Sequence, residues 1–226
     1  MKKKAIVVYS GGMDSSICLA QAIEKYGLDG VLALTFSYGQ RHSTELDAAK
    51  LICHEWGVDQ KILALNCLSE ITSNSLVDHN MDIFQEEGSA PNSMVIGRNG
   101  LMARIAAIHI NNLGGQLIYM GIIGVEAANS GYRDCTRKYM DLMEDIMRID
   151  LDDSEFKIIT PIVHMTKCET LELAYSLGVL AFLLGNTITC YRGVPREGCQ
   201  ECPACLLRNE GVAQFKQLHP GIQLPY

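Results

Sequence analysis

The residues best suited to chemistry sit near the start of the chain. Val7-Val8-Tyr9-Ser10-Gly11-Gly12-Met13-Asp14-Ser15-Ser16 passes from an apolar run to a hydroxyl, two glycines, a carboxylate and two more hydroxyls. Glycines let backbone N–H groups approach a ligand closely. A helix that starts there adds unpaired N–H donors and the positive end of its dipole. Phosphate or pyrophosphate suits such a loop, and Ser10, Ser15 and Ser16 add hydroxyl donors. A lone carboxylate repels phosphates unless a cation intervenes, so Asp14 implies Mg²⁺. A glycine turn with Ser/Asp capping accounts for Gly12 and one polar neighbour, but not for the whole set. The pattern is neither a Walker A loop nor a dinucleotide fingerprint.

A second constellation lies toward the other end, Cys190-x8-Cys199-x2-Cys202-x2-Cys205. Four thiolates suit tetrahedral Zn²⁺, and with no position left open such a site is structural. An iron–sulfur cluster is the competing reading. The metal would fold a loop-rich end that has little core of its own. The other five cysteines, Cys18, Cys53, Cys67, Cys135 and Cys168, are scattered. An odd total of nine with no secretory signal argues against a disulfide framework.

The elements that must hold these groups alternate. Residues 4–9 and 31–36 read as buried strands, 61–65 as a third strand, and 15–26 and 44–56 as helices ended by Gly27 and Gly57. Further on, 101–113, 139–149 and 166–177 read as helices, 116–123 and 156–162 as strands, and Thr166 as a cap. Residues 68–92 are less periodic, and 125–134 read as a loop at the carboxyl end of the fourth strand. Strands alternating with helices imply a mostly parallel sheet with helices on both faces, a doubly wound α/β fold. Composition changes near residue 186. That divides the chain into an α/β domain, 1–185, and a small C-terminal zinc-binding helical region, 186–226, packed on it.

With 226 residues, 48% of them hydrophobic, the chain can bury a substantial core. A net charge of -7 speaks against a nucleic-acid-binding surface, though not against a nucleotide as a small ligand. No run reaches the roughly 20 apolar residues of a spanning helix, and no targeting segment is evident. A cytoplasmic protein with no membrane partner is expected.

The Ser10–Ser15 stretch, "SGGMDS", resembles the pyrophosphate loop of the N-type ATP pyrophosphatases, which cleave ATP between the α- and β-phosphates and adenylate an oxygen. Further segments agree: "SYGQRH" (37–42), "GRN" (97–99), "SGYRDC" (130–135), "TPIVHMTKCET" (160–170), "TCY" and "CQECPACLLR" (199–208). Together they are similar, in order and over nearly the whole chain, to the 7-cyano-7-deazaguanine synthase (QueC) family. The resemblance implies a Rossmann-like fold of the ATP pyrophosphatase type. It also implies ATP-dependent conversion of 7-carboxy-7-deazaguanine to the nitrile with ammonia, through adenylate and amide intermediates, in the queuosine pathway. By the same resemblance Ser10, Gly11, Gly12, Asp14, Ser15 and Ser16 would hold the ATP phosphates. Tyr38, Gln40, Arg41 and His42 would lie by the nucleotide or the carboxylate. Arg98 is a candidate phosphate or substrate contact, and Lys167 would sit beside the reacting carboxylate or the α-phosphate. Tyr132 could stack on the base, with Asp134, and more weakly Glu126, on its guanine-like edge. A homodimer is implied as well.

The departures cluster. Where the family usually carries a "GVCETD"-like segment and then "SGYPDCR", this chain has "GIIGVEAANSGYRDCT". Ser37 replaces an acid before "YGQRH", and "IGRN" replaces "PGRN". The phosphate and zinc parts are intact. An alternative therefore stands beside the synthase: a paralogue that adenylates 7-carboxy-7-deazaguanine and joins it as an amide to another amine, on a protein acceptor, as in bacterial antiviral systems. A non-catalytic nucleotide-binding module and a sulfur-transfer enzyme are further readings. The last would want two reactive cysteines near the ATP site, with Cys135 and Cys168 the ones to place.

Overall fold

A computed structural model of the chain describes residues 2–38, 44–72, 92–124 and 131–226. Five strands, β1 (Ala5–Val8), β2 (Val31–Ser37), β3 (Gln60–Ala64), β4 (Leu117–Met120) and β5 (Lys157–Ile159), form one sheet. Its order is β3-β2-β1-β4-β5, and every pairing is parallel. Strand periodicity decides the layers. Ala5 and Val7 of β1, with Val31 and Ala33 of β2, enter one core. Ile6, Leu32, Leu34 and Phe36 enter the other. A strand covered on both faces cannot alternate with polar residues, which is why β1 reads as an unbroken apolar run and β2 as one broken only by Thr35 before its end.

Helices α1 (Met13–Tyr26) and α2 (Thr44–Trp56) cover the first face together with α6 (Lys167–Ser176), α7 (Leu180–Asn186) and α8 (Pro203–Leu218). Ile17, Ile52, Leu171, Leu183 and Phe215 meet there. Helices α4 (Arg98–Asn112) and α5 (Arg137–Leu151) cover the second face through Met102, Ala106, Ile110, Met140 and Met147. Val212 and Phe215 of α8 belong to the same core as Ile17 of α1, so the cysteine-bearing segment is built onto the body of the sheet.

The chain winds outward from β1 to β3, then returns to place β4 on the other side of β1. Neighbouring loops diverge at such a reversal, and the crevice opens at the carboxyl ends of the strands. Val8 pairs with both Leu34 and Met120, so β1, β2 and β4 end at one level. The Ser-Gly-Gly loop leaves β1 at that level.

The doubly wound α/β expectation holds, and the differences have physical reasons. β4 stops at Met120, short of the expected 123, because its ladder partner β1 ends at Val8. α4 begins at Arg98, earlier than its apolar pattern, so "GRN" is a first helical turn after a left-handed Gly97 (φ 68°). α7 and the short α3 (Asn66–Ile71) were not expected, since six or seven residues are too few to show a helical period. Thr166 does cap α6: its hydroxyl accepts from the Glu169 N–H, and the Glu169 side chain accepts from the Thr166 N–H at 2.7 Å. Among the described residues no single helix is long and apolar enough to cross a membrane.

Candidate active site and metal centre

The loop between β1 and α1 is held open from behind. Gly11 has φ +86°, and a Cβ there would overlap the Glu45 carbonyl oxygen and lie 2.8 Å from the Ala49 nitrogen. Only glycine lets α2 approach this closely. Ser10 and Ser15 then brace each other, with hydroxyls 3.1 Å apart and the Ser10 N–H donating to Ser15 Oγ at 3.2 Å. Gly12 is the N-cap of α1, and no side chain caps it. The helix start therefore keeps unpaired N–H groups beside two hydroxyls, a constellation suited to an oxyanion.

Asp14, in the first turn of α1, meets Lys167 from the first turn of α6, with Nζ 2.8 and 2.7 Å from its two carboxylate oxygens. The Lys167 side chain is 11% exposed and that of Asp14 is 29%. A cation at a helix N-terminus is opposed by the dipole, so the carboxylate compensates for an otherwise unfavourable placement.

A cavity of about 340 Å³ lies over these groups at the ends of β1 and β4. Arg98 lines it, donates to Tyr38 Oη at 3.2 Å, and stacks over the Tyr38 ring at 5.6 Å from the centroid. Among the described residues no carboxylate forms an ion pair with Arg98. Tyr132 Oη lies 2.7 Å from Ser93 Oγ and 3.4 Å from Tyr191 Oη. Burial opposes the charge of Arg98, but the oxygens of Tyr38, Tyr132, Tyr191 and Asp134 more than offset that, so the guanidinium stays protonated. Burial pushes the Glu45 carboxyl up to about 7, with Arg98 pulling the other way. The arrangement offers phosphate donors and an acid–lysine pair, with a guanidinium set among phenols.

At the other wall the four sulfurs of Cys190, Cys199, Cys202 and Cys205 all lie within 4.8 Å of one another. A tetrahedral ion with bonds of about 2.3 Å places its sulfurs about 3.8 Å apart, and Cys199 and Cys205 are 4.0 Å apart. Backbone N–H groups of Arg192 and Cys202 donate to Cys190 Sγ and Cys199 Sγ, each at 3.3 Å, a pattern that favours thiolates. Gly198 (φ +70°) leaves no room for a Cβ beside Cys205 Sγ. Nearby is Arg208, a fully buried side chain whose guanidinium lies over the Tyr226 ring, 5.6 Å from its centroid. Its positive charge suits the negative charge that four thiolates leave on a divalent ion. The donor set and spacing fit one metal ion.

Of the residues singled out in the sequence, Ser10, Gly12, Asp14, Ser15, Tyr38, Arg98, Tyr132 and Lys167 line one cavity. Gly11 stands behind the loop. Ser16 is turned inward, donating to the Gly12 carbonyl at 2.8 Å and lying 3.2 Å from Tyr9 Oη. Asp134 is not part of the lining: its Oδ2 accepts from the Asn99 N–H at 3.0 Å and caps α4. Gln40, Arg41, His42 and Glu126 lie outside the described residues. Glu45, Asn99, Thr189 and Tyr191, to which sequence reasoning gave no role, and Cys135, named there only for sulfur transfer, also line the cavity. Four of them carried a signal, since Asn99 is in "GRN", Cys135 in "SGYRDC", and Thr189 and Tyr191 in "TCY". Cys135 receives a hydrogen bond from Asn99 Nδ2 at 3.3 Å, and burial pushes its thiol up to about 12. Cys168 is buried in the first core and does not line the cavity, so the cysteine pair of a sulfur-transfer enzyme is not assembled.

The sheet order, with a Ser-Gly-Gly loop at its switch point, defines a doubly wound, Rossmann-like α/β protein. The family model described as "Queuosine biosynthesis protein QueC" matches residues 4–216, and the chain belongs to that family. It is 41% identical over 218 residues to a 7-cyano-7-deazaguanine synthase of Clostridium botulinum (strain Loch Maree / Type A3), covering 96% of this chain and 97% of that one. The protein of the same name from Clostridium botulinum (strain Langeland / NCTC 10281 / Type F) is 40% identical over the same shares. Among solved structures, the U34-tRNA thiolase NcsA from Methanococcus maripaludis with its 4Fe–4S cluster superposes with a TM-score of 0.51 at 17% identity. That match covers 99% of this chain and 75% of NcsA, and shows the fold alone.

Proposed function

We propose that the protein is an ATP-dependent 7-cyano-7-deazaguanine synthase. The carrying observation is that one cavity joins the phosphate loop, the Asp14–Lys167 pair and Arg98, in a chain about 40% identical end to end to proteins of that name. Backbone N–H groups in the first turn of α1 and the hydroxyls of Ser10 and Ser15 would hold the ATP phosphates. Asp14 would hold Mg²⁺, which neutralises phosphate charge when bound. Arg98 would receive the carboxylate of 7-carboxy-7-deazaguanine and aim one oxygen at the α-phosphate. Attack there forms the acyl adenylate and releases diphosphate. Lys167, drawn from Asp14 to the α-phosphate, would stabilise the charge that builds on its oxygens. Ammonia displaces AMP to give the amide. A second ATP adenylates the amide oxygen, and loss of AMP with two protons leaves the nitrile. Closely held reactants supply much of the rate.

Zn²⁺ is the metal we assign to the four cysteines, because sulfurs this close together leave room for one ion and none for a cluster of several irons between them. A cytoplasmic homodimer is the setting the family resemblance supports. Mass spectrometry of a single reaction with 7-carboxy-7-deazaguanine, Mg²⁺-ATP and ammonium tests the reading. Nitrile with two AMP per product is expected. Amide alone, or a mass added to a polypeptide, would replace it with the amide-forming ligase, and no AMP would reject the substrate.

A further inference from the structure

The segment running into and out of the first metal-ligand cysteine touches three parts of the molecule at once. The Ile188 N–H donates to the Gly11 carbonyl at 3.3 Å, tying the segment to the phosphate loop. Cys190 belongs to the metal cluster. Tyr191 Oη reaches Tyr132 Oη at 3.4 Å, and Tyr132 is in turn held by Ser93. Four residues span at most about 14 Å, so loop, metal and phenol pair are linked over a short, stiff stretch of chain.

Two side chains on this segment are not explained by folding a tail. Thr189 lines the cavity, yet its Oγ1 is buried with no hydrogen-bond partner among the described residues. A buried hydroxyl without a partner is unfavourable, and an unexplained one marks a place where a ligand supplies the missing bond. Tyr191 lines the same cavity while packing against the cysteine cluster, and its hydroxyl contact to Tyr132 is at the long end for two hydroxyls. Its hydroxyl therefore keeps donor and acceptor capacity for something else. The apolar complement comes from the same region, since Pro203 and Leu207 at the start of α8 also line the cavity. An aromatic side chain, a hydroxyl in want of a partner and an apolar wall are what a planar heterobicycle with a polar edge requires.

We infer that Thr189 and Tyr191 form the subsite for the deazapurine ring, so that the metal cluster positions the substrate as well as folding the chain end. This rests on the substrate reading above. The test is calorimetric binding of 7-carboxy-7-deazaguanine to the metal-loaded protein in the presence of α,β-methylene-ATP. Wild type, Tyr191→Phe and Thr189→Val are compared, and both variants keep their shape. Each is expected to bind the carboxylate about threefold to tenfold more weakly, the loss of one hydrogen bond. Affinity for the ATP analogue and one metal per chain should be unchanged. Wild-type affinity in both variants would overturn the subsite. So would loss of metal from Tyr191→Phe, which would mean that the tyrosine serves the cluster. If the wild type binds the ATP analogue but not the carboxylate, the substrate reading itself fails and the subsite falls with it.

Discussion

Replacing Asp14 by asparagine removes a carboxylate from beside an ammonium that is 11% exposed. Lys167 Nζ sits 2.8 and 2.7 Å from the two oxygens, so both lone-pair faces of the carboxylate are engaged. Breaking a fully buried pair from one side costs about 3–5 kcal/mol. Here Asp14 is 29% exposed and borders an open cavity, so water recovers part of that loss. We expect Asp14→Asn to destabilise the ligand-free protein by about 1–3 kcal/mol, which is roughly 3–10 °C in Tm for a chain of this size. Lys167→Met should cost less, about 0.5–2 kcal/mol, because the Asp14 carboxylate it leaves behind reaches solvent. The double variant should lose about 1–2 kcal/mol less than the sum. Urea unfolding of the metal-loaded, nucleotide-free proteins measures this cycle. Nucleotide must be absent, since a ligand of the folded state raises apparent stability. Additivity to within about 0.5 kcal/mol would refute the coupling, and with it the claim that the carboxylate compensates for a cation at the start of α6. Activity is a separate readout: either single variant should lower AMP release by about a hundredfold or more.

Gly11→Ala should destabilise by about 1–3 kcal/mol, since it places a Cβ at φ +86° against the Glu45 carbonyl; a variant with unchanged melting and ATP affinity would show that α2 does not brace the loop. Cys202→Ser should lose its one-to-one metal, measured by elemental analysis, and melt well below wild type; intact stoichiometry with an unchanged Tm would contradict a structural ion. For Glu45 the carboxyl is raised to about 7, so the folded state holds its proton where the unfolded chain has released it. That contribution is fully present below the ordinary carboxylate value and is lost as pH rises through about 7. Glu45→Gln should accordingly gain stability relative to wild type as pH rises from about 4.5 to about 7, with little further change above. A difference independent of pH would show that the carboxyl is not held neutral.

Much of the architecture was legible because it rests on local pattern. Apolar runs, broken only by Thr35, mark β1 and β2 as strands buried on both faces, and α2 came out at its observed bounds, Thr44–Trp56. Thr166 with Glu169 spells its capping box in four consecutive residues. The phosphate loop and the cysteine spacing were readable for the same reason, since each packs its groups into one short segment. Ladder ends were not readable, because β4 stops where β1 stops and a strand does not know its partner's length.

What the sequence determined alone was the inventory: a glycine–serine loop with one carboxylate, four closely spaced thiols, and an arginine and a lysine in suggestive settings. Tertiary structure decided which of them meet. Lys167 reaches Asp14 across 153 positions of chain because α6 packs on the same face of the sheet as α1. Asp134 was diverted from the cavity to the start of α4, where unpaired N–H groups compete for its oxygens. Ser16 was turned into the core by Tyr9. Glu45, Thr189 and Tyr191 gained their place from the closing of the crevice at the β1–β4 switch point. No local pattern encodes that closure, since it depends on which helix covers which face.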